Sequence, residues 1–192
     1  MKGIIFSTDM VRAILDGRKS QTRRIVNGFG SHGIANGRYI GWKGQSIPIP
    51  YKINDILWVR ETWLYCMTHG RYFYKASVNE TTLGNLIEAG FNWKPSIFMP
   101  HRAARIFLEV KSVRIERLQD IGETDCIEEG VTPVCAGVTE TCYTSEGCLG
   151  CNRLYTTAFI KLWDSINAKR GYSWNSNPYV WVIEFTRGSG NE

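Results

Sequence analysis

The spacing of apolar positions changes several times along this chain, and each change marks an element. Residues 3–6 form a short apolar run that predicts a strand. Ser7 then stands where an N-cap belongs. Met10, Val11, Ile14 and Leu15 fall at helical spacing, and Gly17 ends the pattern as a C′ residue does. Residues 19–26 read as extended. Residues 28–45, rich in Gly, Ser and Asn, read as a loop or hairpin. Ile56-Leu57-Trp58-Val59 predicts a strand within 55–62, and 71–75 predicts another. Residues 80–90 are polar and ambiguous. The clearest β region is 101–118, where Ile106, Leu108 and Val110 alternate with Phe107, Glu109 and Lys111 and the pattern runs on through Val113 and Ile115.

Beyond it a short helix is predicted over 123–129. Residues 133–152 are a Cys- and Gly-rich insertion with little apolar content. Over 155–167, Phe159, Ile160, Leu162, Trp163 and Ile166 predict the buried side of an amphipathic helix. A final strand is predicted over 179–185, and the tail from Gly188 is expected to fray. Many short strands with few helices point to an α+β fold, a small β-barrel carrying helices at its ends.

Composition changes this picture little. At 192 residues the chain fits one domain, 1–187, with the Cys-rich loop inserted at 133–152 and a flexible tail at 188–192. Hydrophobic content of 43% and charged content of 21% mark an ordinary globular chain. The net charge of +5 suits a phosphate-bearing partner without requiring one. No run approaches the ~20 apolar residues of a membrane span, and residues 1–7 hold too short an apolar stretch for a signal peptide. A cytoplasmic monomer is therefore expected. In a reducing compartment its six Cys should be thiols or metal ligands.

The candidate chemistry lies in the run Gly17-Arg18-Lys19-Ser20-Gln21-Thr22-Arg23-Arg24, taken with Glu128-Glu129-Gly130-Val131. A lysine, a hydroxyl and a carboxylate can make a hydrolytic site, provided that a base activates the weak nucleophile. Burial and neighbouring arginines push a lysine towards that role. Residues three apart on a regular strand point to opposite faces. Lys19 and Thr22 therefore converge only if Lys19 lies in the bend after Gly17. The competing reading is a solvated basic hairpin edge. Arg23, Arg24 and Arg60 are candidates for binding phosphate or a base. Glu61 is a further carboxylate candidate, and Arg60 could pair with it instead. Trp63 is either an exposed stacking platform beside arginines or loop packing.

Cys135, Cys142, Cys148 and Cys151 can close a tetrahedral thiolate site for a structural zinc, with Cys148 and Cys151 at knuckle spacing. The alternative is a loop of reduced thiols. Cys66 and Cys126 read as isolated core residues, and His69 and His101 as lone histidines. No phosphate-binding Gly loop, dinucleotide fingerprint or Ser-His-Asp arrangement stands out, so no organic cofactor is expected.

The order strand, helix, GRKSQTRR, Asp55-Ile56-Leu57 leading into Arg60-Glu61, a long central strand, an acidic short helix and a final Val-Ile-Glu-Phe strand resembles the ASCH domain, a member of the PUA-like β-barrels. Residues 58–63, Met99-Pro100, residues 163–167 and residues 181–185 resemble its bacteriophage and prophage branch. The resemblance extends to an N4-acetylcytidine amidohydrolase of that family. It implies a threonine nucleophile at Thr22, a lysine base at Lys19 and an assisting glutamate, for which Glu129 is the best match. The implied partner is a nucleoside or single-stranded RNA. Rival readings are a non-catalytic RNA- or single-strand-binding module and a ribonuclease.

Overall fold

The computed structural model describes residues 1–26, 48–79, 81–82, 86, 90–135 and 153–188, with backbone alone for 34–35, 38–39, 135 and 153. In chain order the elements are β1 (Lys2–Ile5), α1 (Thr8–Leu15), β2 (Gln21–Ile25), β3 (Ile34–Ala35), β4 (Arg38–Tyr39), β5 (Ile56–Arg60), β6 (Trp63–Cys66), β7 (Arg71–Tyr74), β8 (Phe107–Arg117), α2 (Glu123–Glu128), β9 (Val134–Cys135), β10 (Arg153–Leu154), α3 (Tyr155–Asn167) and β11 (Tyr179–Arg187). They gather into two compact units. One comprises Met1–Ser20, Ile53–Lys111 and Phe185–Glu192; the other comprises Gln21–Lys52 and Ser112–Glu184.

In the first unit β1 pairs parallel with β5, and β5 pairs antiparallel with β8. The alternation seen in the sequence buries Leu57, Val59, Ile106, Leu108 and Val110. Ser7 caps α1 by accepting a bond from the Met10 amide, and the helix buries Val11, Ala13 and Ile14. Gly17 sits at φ +74°, the left-handed conformation that closes a helix. Gly3 of β1 lies opposite Trp58, and a Cβ there would come within 2.9 Å of the Trp58 ring and the Arg60 stem. The missing side chain lets those two lie across β1. A β6–β7 hairpin completes the unit, with Trp63 opposite Tyr74 and Cys66 opposite Arg71.

In the second unit the far ends of β8 and β11 join β2, with Arg23 opposite Val182 and Thr22 opposite Ile183. A separate core there gathers Leu118, Ile121, Cys126, Phe159, Trp163, Val180 and Val182. The α3 face that packs follows i, i+4 spacing: Tyr155, Phe159, Trp163 and Asn167.

Two boundaries shift from expectation. The β region begins at Phe107, because Pro100 starts a 3-10 turn over His101–Ala103. Ile166, expected on the buried side of its helix, is exposed, and Asn167 takes the buried place by donating to the Trp163 carbonyl at 3.2 Å. The α+β class holds, whereas neither unit closes its strands into a barrel among the described residues. The expected hairpin in 28–45 is described only at β3 and β4, which pair antiparallel. Of the Cys-rich insertion, Cys142, Cys148 and Cys151 lie outside the described residues. Its ends are described: β9 pairs with β10 and sets the Cys135 backbone opposite Arg153. Among the described residues no helix is long and apolar enough to cross a membrane.

Candidate functional site

Lys19 lies outside β2. Its amide donates to the Ala13 carbonyl at 3.0 Å, alongside the Arg18 amide at 2.9 Å, so the end of α1 holds it. Lys19 belongs to the bend after Gly17 in the first unit, and Thr22 belongs to β2 in the second. Both side chains are buried. The Lys19 ammonium sits 5.7 Å from the centroid of the Phe6 ring, a cation–π contact within the first unit.

In the second unit the sequence of β2 alternates Gln21, Arg23 and Ile25 on one face with Thr22 and Arg24 on the other. The first face is built around Arg23. Its Nε donates to Glu116 at 3.1 Å, Nη1 to Gln21 at 2.6 Å and to Glu129 at 3.3 Å, and Nη2 to Glu116 at 2.6 Å and Asp125 at 2.9 Å. Those five bonds use the five donors a guanidinium has. Gln21 donates in turn to Asp125 at 3.2 Å and Glu128 at 3.1 Å. Arg114 bonds Glu184 and reaches Glu116 at 3.3 Å. Burial disfavours the Arg114 charge, but Glu184, Glu116 and Asp125 together hold its pKa above the ordinary value.

Arg23, expected to bind substrate, is committed to protein carboxylates and positions Glu129. Arg24 feels Glu129 as well. Burial lowers its pKa, and Glu129 and Tyr51 oppose that shift. β2 is an edge strand. Cys126 is the core thiol expected, pushed up by burial.

Asp125 carries the clearest pH dependence. Burial works against its charge, but Arg23, the Gln21 side chain, the Gly122 amide and Arg114 win, and its pKa falls below the usual carboxylate value of about 3.9. A depressed pKa contributes stability that is present above the unfolded value and lost as pH falls through the folded one. Asp125→Asn should therefore be less stable than the native chain at pH 7, and the gap should narrow below about pH 4. Urea unfolding at both pH values checks this. An unchanged gap would mean that Asp125 is not held as a charged partner.

The remaining expected site residues lie in the first unit. Glu61 is buried and accepts a two-pronged bond from Arg105, at 2.8 Å from Nε and 2.9 Å from Nη2. Arg60 instead donates to the Ile97 carbonyl and lies over the Trp58 ring at 5.4 Å. Trp63 is 6% exposed and packs with Met99, Ala103 and Tyr72, which is the loop-packing alternative. The isolated Cys66 and His69 meet, with Sγ 3.0 Å from Nδ1.

Sequence reasoning missed Gln21, Arg105, Glu116 and Asp125. One signal was available for the second-unit set: the basic run 18–24 has a complement in 116–129, where Glu116, Asp120, Glu123, Asp125, Glu128 and Glu129 cluster.

No family model matches the chain, and none of the curated proteins matches it. Among solved structures it is similar to the high-resolution crystal structure of an ASCH domain from Lactobacillus crispatus JV V101. Identity is 13%, coverage is 92% of this chain and 70% of that chain, and the TM-score is 0.38. At that score the likeness places no residue of the site.

Proposed function

We propose that the chain is a PUA-like, ASCH-type domain of the bacteriophage and prophage branch that recognises a nucleobase or nucleoside, and that it removes an acyl group from N4-acylated cytidine. The observation that carries the reading is where the chain buries its polar side chains. Among the described residues these are Lys19, Gln21, Thr22, Arg23, Glu61, Glu129 and Asn167. Four of them fall within residues 19–23, and Glu129 is tied to the same strand through Arg23. Burying polar groups is costly, so their concentration in one run supports a site rather than a solvated hairpin edge.

In this reading the Thr22 hydroxyl oxygen attacks the acyl carbonyl while Lys19 takes the hydroxyl proton. The carbonyl–nitrogen bond then breaks, and that proton passes to the leaving exocyclic amine. Water hydrolyses the acyl-threonine, releasing the free acid and restoring the hydroxyl. Glu129, held by Arg23, is the assisting glutamate. Mass spectrometry after incubation with a panel of N4-acylated cytidines and other modified nucleosides tests the reading. Release of cytidine and free acid is expected. A panel that returns unchanged rejects the hydrolase.

The four thiols at Cys135, Cys142, Cys148 and Cys151 make a donor set suited to one structural zinc. The β9–β10 ladder, which brings the two ends of the insertion side by side, supports this assignment. Elemental analysis of protein purified without chelator should find one zinc per chain, with these thiols slow to react until it is removed. Metal-free protein whose thiols titrate at once would rule the site out.

A further inference from the structure

We propose that Cys66 is a peroxide-reactive thiol with His69 as its base, a modification site in the first unit that shares no residue with the proposed hydrolase. The pair lies on the β6–β7 hairpin. Cys66 ends β6, and Arg71 opens β7 directly opposite it. Between them the chain turns through Met67, Thr68, His69 and Gly70, all four exposed. The Gly70 amide donates to the Met67 carbonyl at 3.3 Å and closes the turn. The turn brings the His69 ring back to β6, where Nδ1 lies 3.0 Å from Cys66 Sγ. The imidazole also packs T-shaped against Phe73, with centroids 6.5 Å apart.

These surroundings suit one kind of chemistry. With the imidazole proton on Nε2, Nδ1 is an acceptor, and the thiol proton has a base within hydrogen-bond reach. Leu64, Cys66, Arg71 and Phe73 share one face of the hairpin, since directly opposed residues and residues two apart do so. The Arg71 guanidinium lies over the Phe73 ring at 4.6 Å. It places a cation on the face that carries the thiol, the setting in which reactive cysteines are found. Cys66 itself is only 1% exposed and packs with Leu64 and Leu86, against which Phe73, Val78, Phe91 and Trp93 close. Its bonded imidazole is exposed, so the thiol is one side chain from solvent. That selects a reagent little larger than water. Hydrogen peroxide qualifies, and a bulky disulfide does not. Trp93 holds a buried Nε1 with no acceptor among the described residues, and an oxygen on Cys66 would bring an acceptor into the cluster that Trp93 packs against.

In the reaction, Sγ attacks one peroxide oxygen as the thiol proton passes to Nδ1. The S–O bond forms and the O–O bond breaks. The departing hydroxide takes the proton from the imidazolium and leaves as water. Sulfur is oxidised by two electrons, peroxide is reduced, and Cys66 becomes a sulfenic acid.

Treatment of the full chain with hydrogen peroxide tests this, with dimedone to trap sulfenic acid and peptide mass spectrometry to locate it. Cys126 is the internal control, a buried thiol that meets only the Thr156 hydroxyl, at 4.0 Å, in place of an imidazole. Cys66 is expected to label about a hundredfold faster than Cys126, the lower end of what a positioned base contributes. His69→Ala should slow Cys66 by about the same factor. If the ring merely covered the thiol, its removal would speed labelling instead. His69→Gln, which keeps a polar side chain without a base, should be as slow, so the test survives a His69→Ala chain that does not fold. Equal labelling of Cys66 and Cys126 overturns the proposal. So does unchanged or faster labelling of Cys66 in a folded His69 variant.

Discussion

Replacing Arg23 with alanine is expected to cost about 3–5 kcal/mol of folding stability at pH 7, the usual penalty for removing one partner of a buried ion pair. The guanidinium is almost fully buried and uses all its donors on Glu116, Asp125, Glu129 and Gln21. Its removal takes a cationic partner from three carboxylates, of which Glu129 is buried. Arg23→Lys should lie between, because an ammonium offers three donors in place of five. In Arg23→Ala Asp125 loses the charge that most lowers its pKa, so its share of the deficit should shrink as pH falls towards 4. Urea unfolding of the three proteins at pH 7 and pH 4 decides. If Arg23→Ala unfolds at the native urea midpoint, the network does not hold this unit together.

The second large effect concerns catalysis. Thr22→Val keeps the β-branched shape and removes only the hydroxyl. Turnover on the N4-acylated cytidine should fall by roughly 10^3-fold or more, as for loss of a nucleophile elsewhere. Lys19→Ala should fall comparably, and the double variant should be little worse than either alone, because the two act as one unit. Folding should survive Thr22→Val, whose side chain fits a strand position opposite Ile183. Full turnover by Thr22→Val would remove threonine from the mechanism. A double variant showing the product of the two single losses would mean that the lysine does not serve the threonine.

What could be read from the sequence was whatever is encoded over a few neighbouring residues. Ser7 and Gly17 delimit α1 because capping is local. β8 shows its alternation, and α3 shows a helical period, although Ile166 points to solvent. Partnership over distance could not be read. Arg60 is the residue beside Glu61 in the chain, yet Arg105, forty-four residues away, is the one that binds it. Arg23 looks like a substrate ligand until Glu116 and Asp125, about a hundred residues on, are seen to occupy its donors. Aromatic exposure was hidden for the same reason. Trp63 is covered by Met99, Ala103 and Tyr72, whereas Phe98, in a run with no periodicity, is exposed.

β8 and β11 each begin in one unit and end in the other. The first unit is drawn from three stretches of chain and the second from two. No single cut in the gene therefore releases either unit whole, since any fragment long enough to encode one carries off or severs a strand of the other. Such a protein can grow by insertion at its loops, but it must be inherited, expressed and lost as one piece.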